Sequence, residues 1–252
     1  MQKVGNFWEE KRAQLRYHLE NEDFANFLRW PEVAITMFVG NFPFIKPEKE
    51  TVADHGWLEK IYESEVGNPE LWPATQTSSN WIHQAYHLVN LEKVTGVKIA
   101  DLKSIGEIGA GYGAMRTVLS RLGFKGNYYI YDLPEYAELQ HRYLSQTLTE
   151  EELAKTVWEL PQKVDLLIGM WSLSEMPVGI RKELLQACAS DYYLFGYHEF
   201  FEGVYNVDWF EKLQQAMTRH LTSITKLAHM DGDHFYFIGQ TAKPVRKLRS
   251  KK

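Results

Sequence analysis

Polar and apolar positions along the chain fall into two textures that meet near residue 102. From Asn6 to Trp30, Trp8, Leu15, Leu19, Phe24, Phe27 and Leu28 recur between charged residues. This loose helical period predicts helix, with a break at Asn21 to Asp23. Pro31, Pro43, Pro47, Pro69 and Pro73 then restrict the chain to short helices and loops. A clearer helix follows, capped by Ser78 or Ser79 and stopped at Gly96, with Ile82, Ala85 and Val89 on its buried face. Beyond residue 102 strands and helices alternate. Strands are predicted at Lys103 to Ile108, Tyr128 to Tyr131, Val164 to Met170 and Tyr192 to Tyr197. Helices are predicted at Ala114 to Leu122, Glu135 to Leu148, Val178 to Ala189 and Val207 to His220. Such alternation marks a parallel sheet covered on both faces. Ser223 to His229, the turn Asp231-Gly232, and His234 to Gly239 read instead as an antiparallel hairpin.

These textures define three segments: a helical, aromatic-rich stretch over 1–101, expected to be a cover over whatever the second segment binds, an α/β domain over 102–242, and a basic tail over 243–252. The tail holds six bases and no acid, leaving residues 1–242 with 22 bases against 33 acids, a formal charge of −11. An acidic body argues against nucleic acid as a partner. The single cysteine, Cys188, excludes an intramolecular disulfide and a four-cysteine metal site. With no signal-like apolar run at the N-terminus and no stretch of the ~20 apolar residues that span a bilayer, a soluble, cytoplasmic protein is expected.

The most informative run is Glu107-Ile108-Gly109-Ala110-Gly111-Tyr112-Gly113, where a strand passes into a helix. Glycines permit a tight turn and close approach of a ligand, and the helix N-terminus offers free N–H groups. The next strand ends at Asp132, a carboxylate placed to accept both hydroxyls of a ribose. Together they describe a nucleoside-containing cofactor at the carboxyl edge of the sheet. Gly109, Gly111 and Ala114 also satisfy the dinucleotide G-x-G-x-x-G/A spacing, so a nicotinamide-dependent oxidoreductase and a non-catalytic cofactor-binding module stay open.

Glu107 ahead of three glycines makes an E-x-G-x-G-x-G loop, and with the terminal hairpin it resembles class I S-adenosylmethionine-dependent methyltransferases over roughly Leu102 to Gln240. The resemblance implies a Rossmann-like, doubly wound, mostly parallel seven-stranded sheet with a C-terminal antiparallel hairpin and an N-terminal helical extension. Within that family, Tyr131-Asp132-Leu133-Pro134-Glu135 and Trp171-Ser172-Leu173-Ser174-Glu175-Met176-Pro177 are similar to segments of sugar O-methyltransferases of bacterial polysaccharide pathways. By resemblance the cofactor is S-adenosyl-L-methionine. Glu107, Gly109, Ala110, Gly111 and Gly113 hold its methionine end, Asp132 its ribose, and Val157 to Glu159 lies beside its adenine, with Trp158 placed to stack; Leu133 and Met170 complete the cofactor-binding set. The acid usual in that third segment is not obvious here.

Methyl transfer to a hydroxyl requires alignment of the nucleophile and removal of its proton. His198 and Glu175, just past the ends of two strands, are the candidate bases, and no carboxylate set for a metal is apparent, so a metal-independent reaction is expected. Asn80, His83 and His87 form a second, polar stripe on the helix after residue 78, with Gln76 just before it, suited either to sugar hydroxyls or to solvent. His83 and His87 have i, i+4 metal spacing but lack a third ligand. Trp171, Tyr197, Phe200 and Tyr205 are candidate pocket walls. The expected acceptor is a small molecule or glycan, free or carried on a lipid or nucleotide. The basic tail is either a solvated end or a peripheral contact with the inner face of an anionic membrane.

Overall fold

A computed structural model describes residues 6–230 and 232–241. Residue Asp231 of the expected hairpin turn and the basic tail lie outside the described residues.

The first texture folds into helices α1 (Asn6–Asn21), α2 (Pro31–Thr36), α3 (Ile45–Asp54) and α4 (Ser79–Thr95), with a 3₁₀ segment at Phe24–Arg29. The break after Asn21 falls where Asp23 caps the 3₁₀ segment by accepting from Ala25 N. Ser78 caps α4 by accepting from Trp81 N, and Gly96 ends it in the left-handed conformation, φ 73°. Of the two readings of the polar stripe of α4, the solvated one fails. Asn80, His83 and His87 are as buried as Ile82, Ala85 and Val89, because α4 is enclosed by neighbouring elements and its polar stripe faces protein.

The second texture gives β1 (Ser104–Ile108), α5 (Ala114–Arg121), β2 (Asn127–Tyr131), α6 (Pro134–Thr147), α7 (Glu150–Ala154), β3 (Thr156–Val157), β4 (Lys163–Met170), α8 (Val178–Ala187) and β5 (Ala189–His198). A small hairpin, β6 (Phe200–Phe201) and β7 (Val204–Tyr205), precedes α9 (Asn206–Ala216), β8 (His220–Lys226) and β9 (His234–Thr241). The main sheet runs β3-β2-β1-β4-β5-β9-β8. Its first five strands are parallel, while β9 pairs antiparallel with β5 and with β8. The fold is the α/β, Rossmann-like, seven-stranded arrangement expected.

Two-residue strands carry no periodicity, and this is why β3, β6 and β7 escaped the sequence. Residues 217–220 are not helical as expected, since α9 stops at Ala216 and His220 already pairs with Thr241. One core layer joins Leu15, Phe27, Trp81 and Leu88 to Val118, Tyr143, Ile168 and Ile238. It crosses residue 101 without interruption. The opposite layer packs Leu184 of α8 and Phe210 of α9 against Val164, Leu167, Phe195 and Phe237. Hence β4 and β5, apolar on both faces, lie at the centre of the sheet.

Candidate active site

Gly109, Gly111 and Gly113 have φ of 71°, 55° and 99°, which a side chain rarely permits. A Cβ on Gly109 would lie 2.4 Å from Ser172 Cβ, so the loop presses against the turn that follows β4. Ser172 Oγ completes the contact by donating to Ile108 O. Asp132 ties the loop from the other side. Its Oδ2 accepts from Ala110 N at 2.9 Å and Gln140 Nε2 at 2.7 Å, and its Oδ1 accepts from Leu133 N at 2.8 Å. Burial raises its carboxyl to about 6, against the pull of these bonds.

Gln140 on α6 is the organiser missed in the sequence. It also donates to Gly111 O at 2.9 Å and accepts from Trp158 Nε1 at 2.9 Å, joining glycine loop, strand-end acid and third-segment aromatic. A signal existed. Gln140 interrupts an otherwise apolar stripe of Tyr136, Leu139, Tyr143 and Leu144, and a buried amide needs partners. Trp158 stacks on His141 with centroids 3.4 Å apart and planes at 21°. Glu107 is buried, receives Tyr128 Oη at 2.5 Å, and contacts no cation among the described residues. Burial pushes its carboxyl up to about 8, with Asp132 adding in the same direction and Tyr128 opposing.

A cavity of about 160 Å³ opens beside the loop, lined by Glu107, Gly109, Gly111, Met170, Trp171, Asn80, His83 and the segment Ile35 to Val39. This is below the roughly 300–1,000 Å³ of small-molecule sites. Met37 narrows it, its Cγ standing 3.2 Å from where a Cβ on Gly111 would be. Asn80 fixes that covering segment: its Oδ1 accepts from Val39 N at 3.0 Å, and its Nδ2 donates to Tyr112 Oη at 2.8 Å.

His198 and Glu175 come together as a pair, Nε2 to Oε1 at 3.0 Å. The turn carrying Glu175 is held by buried Arg181, which donates to Ser174 O, Met176 O and Asn206 Oδ1 at 2.7–2.8 Å. At the start of that turn Trp171 takes a left-handed backbone, φ 62°, and its Nε1 donates to His234 Nδ1 at 2.9 Å. Burial, with His198 and His83 nearby, lowers His234 to about 4 and keeps it neutral as acceptor.

The remaining candidates divide. His83 lines the cavity and stacks on Trp171, whereas His87 lies deeper, paired with the Tyr236 hydroxyl and held neutral chiefly by burial. Gln76 is exposed and Tyr197 sits in the opposite core layer, stacked on Phe210 at 3.9 Å. Neither lines the cavity. Phe200 and Tyr205 pair across the small hairpin and are exposed. Among the described residues, no group of three or more His, Cys, Asp or Glu side chains is arranged to hold a metal ion.

No protein-family model matches the chain, and no curated protein matches it significantly. Solved structures do. The methyltransferase domain of a bacterial protein, CtHen1, superposes with a TM-score of 0.50 at 8% identity over 64% of this chain and 99% of its own. An S-adenosylmethionine-dependent methyltransferase of Aquifex aeolicus gives 0.44 at 17% identity over 61% and 90%. The glycopeptide N-methyltransferase MtfA bound to S-adenosyl-L-methionine gives 0.47 at 9% over 63% and 94%. At such identities the likeness is one of fold: the seven-stranded fold of class I methyltransferases.

Proposed function

We propose that this protein is an S-adenosyl-L-methionine-dependent O-methyltransferase that acts on a hydroxyl of a sugar or other small hydroxylated metabolite. The observation that carries the reading is the joining of Glu107, the glycine loop and Asp132 at the carboxyl edge of β1 and β2, beside a cavity walled by Met170 and Trp171. The residues fit the cofactor. Glu107 is a buried carboxyl in want of a cation, which the cofactor's ammonium supplies, and Asp132 stands ready for ribose hydroxyls. Trp158, tied to the same network through Gln140, is the residue assigned to adenine. When bound, the cofactor provides an electrophilic methyl on a sulfonium, so the protein's own task is to orient the acceptor, exclude water and take its proton. His198 with Glu175 offers one such proton-accepting pair.

Isothermal titration with S-adenosylhomocysteine tests the cofactor, with binding expected to weaken sharply in Asp132→Ala; unaltered binding in that variant sinks the assignment. Labelled methyl transfer into extract fractions, lipid-linked glycans included, tests the chemistry. Binding without transfer to any fraction would favour a non-catalytic module. A nicotinamide-dependent reaction is disfavoured because β9 and β8 stand where a second nucleotide-binding half would continue the parallel sheet. If the acceptor is lipid-linked, the basic tail supplies the membrane contact, on the order of 1 kcal/mol per base at an anionic surface. Co-sedimentation with anionic vesicles, unchanged when the six bases become Gln, would remove that role.

A further inference from the structure

A second histidine–glutamate pair reaches the cavity from the helical cover. Glu48 of α3 is fully buried. Its Oε2 lies 2.8 Å from His83 Nδ1, and its Oε1 lies 2.7 Å from His229 Nε2. Burial alone would raise this carboxyl, but the charge of His83 and the bonds from His229 and His83 outweigh it, and the net direction is down. A carboxylate only accepts, so His83 Nδ1 and His229 Nε2 are the nitrogens that carry hydrogens. In neutral His83 that leaves Nε2 with the free lone pair. His83 Nε2 makes no hydrogen bond among the described residues, while the ring lines the cavity with Glu107, Gly109, Met170 and Trp171. The ring is clamped. Trp171 stacks on it at 5.5 Å and 21°, and His87 closes its edge at 4.1 Å. His198, by contrast, does not line this cavity.

We propose that His83 is the proton acceptor of the reaction, with Glu48, braced by His229, as its positioning residue. The inference rests on the methyl-transfer reading above. In the step, a lone pair of the acceptor oxygen forms the O–CH₃ bond as the C–S bond breaks and its electron pair passes to sulfur. The hydroxyl proton moves to His83 Nε2, and Glu48 stabilises the resulting imidazolium as a buried carboxylate orients and supports a catalytic imidazole. The proton leaves to solvent after the products depart. The titratable groups around His83 are Glu48 from α3, His87 from α4 with Tyr236 of β9 behind it, His229 from the loop before β9, His234 from β9, and Glu107 across the cavity.

The test uses the full chain, methyl-labelled S-adenosylmethionine and a glycan-rich lysate fraction, alongside titration with S-adenosylhomocysteine. His83→Gln is expected to cut transfer about 100-fold or more while binding changes less than about threefold, the range of a lost general base. Glu48→Gln should cut transfer less and move the acid limb of the pH–rate profile to lower pH, with Glu48→Asp restoring part of both. Histidine ¹⁵N resonances of the wild type with S-adenosylhomocysteine, at pH 8, should show His83 Nε2 without hydrogen. Unchanged transfer in His83→Gln overturns the proposal, and so does a hydrogen on Nε2, whether or not any fraction accepts a methyl group. Failure of the wild type to bind S-adenosylhomocysteine overturns the methyl-transfer reading instead.

Discussion

Tyr128 Oη donates to Glu107 Oε2 at 2.5 Å inside the sheet edge, and this bond is the sole polar contact of the Glu107 carboxyl among the described residues. A carboxyl so placed keeps its proton to about 8 in the folded chain, whereas the unfolded chain releases it near 4.5. Between these values the unfolded state binds fewer protons, so stability falls as pH rises. Glu107→Gln, neutral at every pH and still able to accept from Tyr128, should stabilise the free protein by a few kcal/mol at pH 8. The advantage should shrink toward pH 4.5. Urea melts at the two pH values check this, and an advantage independent of pH would contradict it.

Cofactor binding should release protons. An ammonium brought beside Glu107 favours its ionised form, so a carboxyl mostly protonated at pH 7 gives up close to one proton. Calorimetry with S-adenosylhomocysteine in phosphate and in Tris at pH 7 should return different apparent enthalpies. The difference should vanish in Glu107→Gln.

Gln140→Leu removes the bonds to Gly111 O, Asp132 and Trp158 together. Hydrogen bonds to charged groups contribute about 1.5–3 kcal/mol, so S-adenosylhomocysteine affinity should fall roughly 10- to 100-fold. Thermal stability should fall less than for a cavity in the core, since Leu fills most of the same volume. Retained affinity would show that the glycine loop holds its shape without the amide.

Arg181→Met leaves Ser174 O, Met176 O and Asn206 Oδ1 without their donor. A loss of about 2–4 kcal/mol is expected from stranding buried acceptors, read by chemical denaturation. Because the same turn carries Glu175, the His198 resonances should shift as well; unmoved resonances would separate the turn from the pair.

The parts of the site legible in the sequence are those built by neighbours in the chain. Glu107, the glycines and Asp132 sit at strand ends where spacing alone places them, and the terminal hairpin announced itself through its turn. What stayed hidden depends on distant partners. Glu48 is 35 residues from His83 and 181 from His229, and on α3 it reads as one acid among several facing water. The stripe of α4 stayed ambiguous for the same reason. Asn80, His83 and His87 look like a solvated face until Val39, Tyr112, Glu48 and Tyr236 are known to stand opposite.

Asn80 holds Val39 of the cover and Tyr112 beside the glycine loop at once, the arrangement of a latch. If a ligand enters past the covering segment, the half-buried bond from Val39 N to Asn80 Oδ1 breaks before any ligand contact is gained, so the cost falls on the barrier to passage and applies equally to entry and exit. A higher latch lengthens residence time and slows capture by the same factor, leaving the dissociation constant to the groups inside. Two proteins with identical cofactor-contacting residues could then differ in turnover purely through the amide at position 80, with product departure as the slow step.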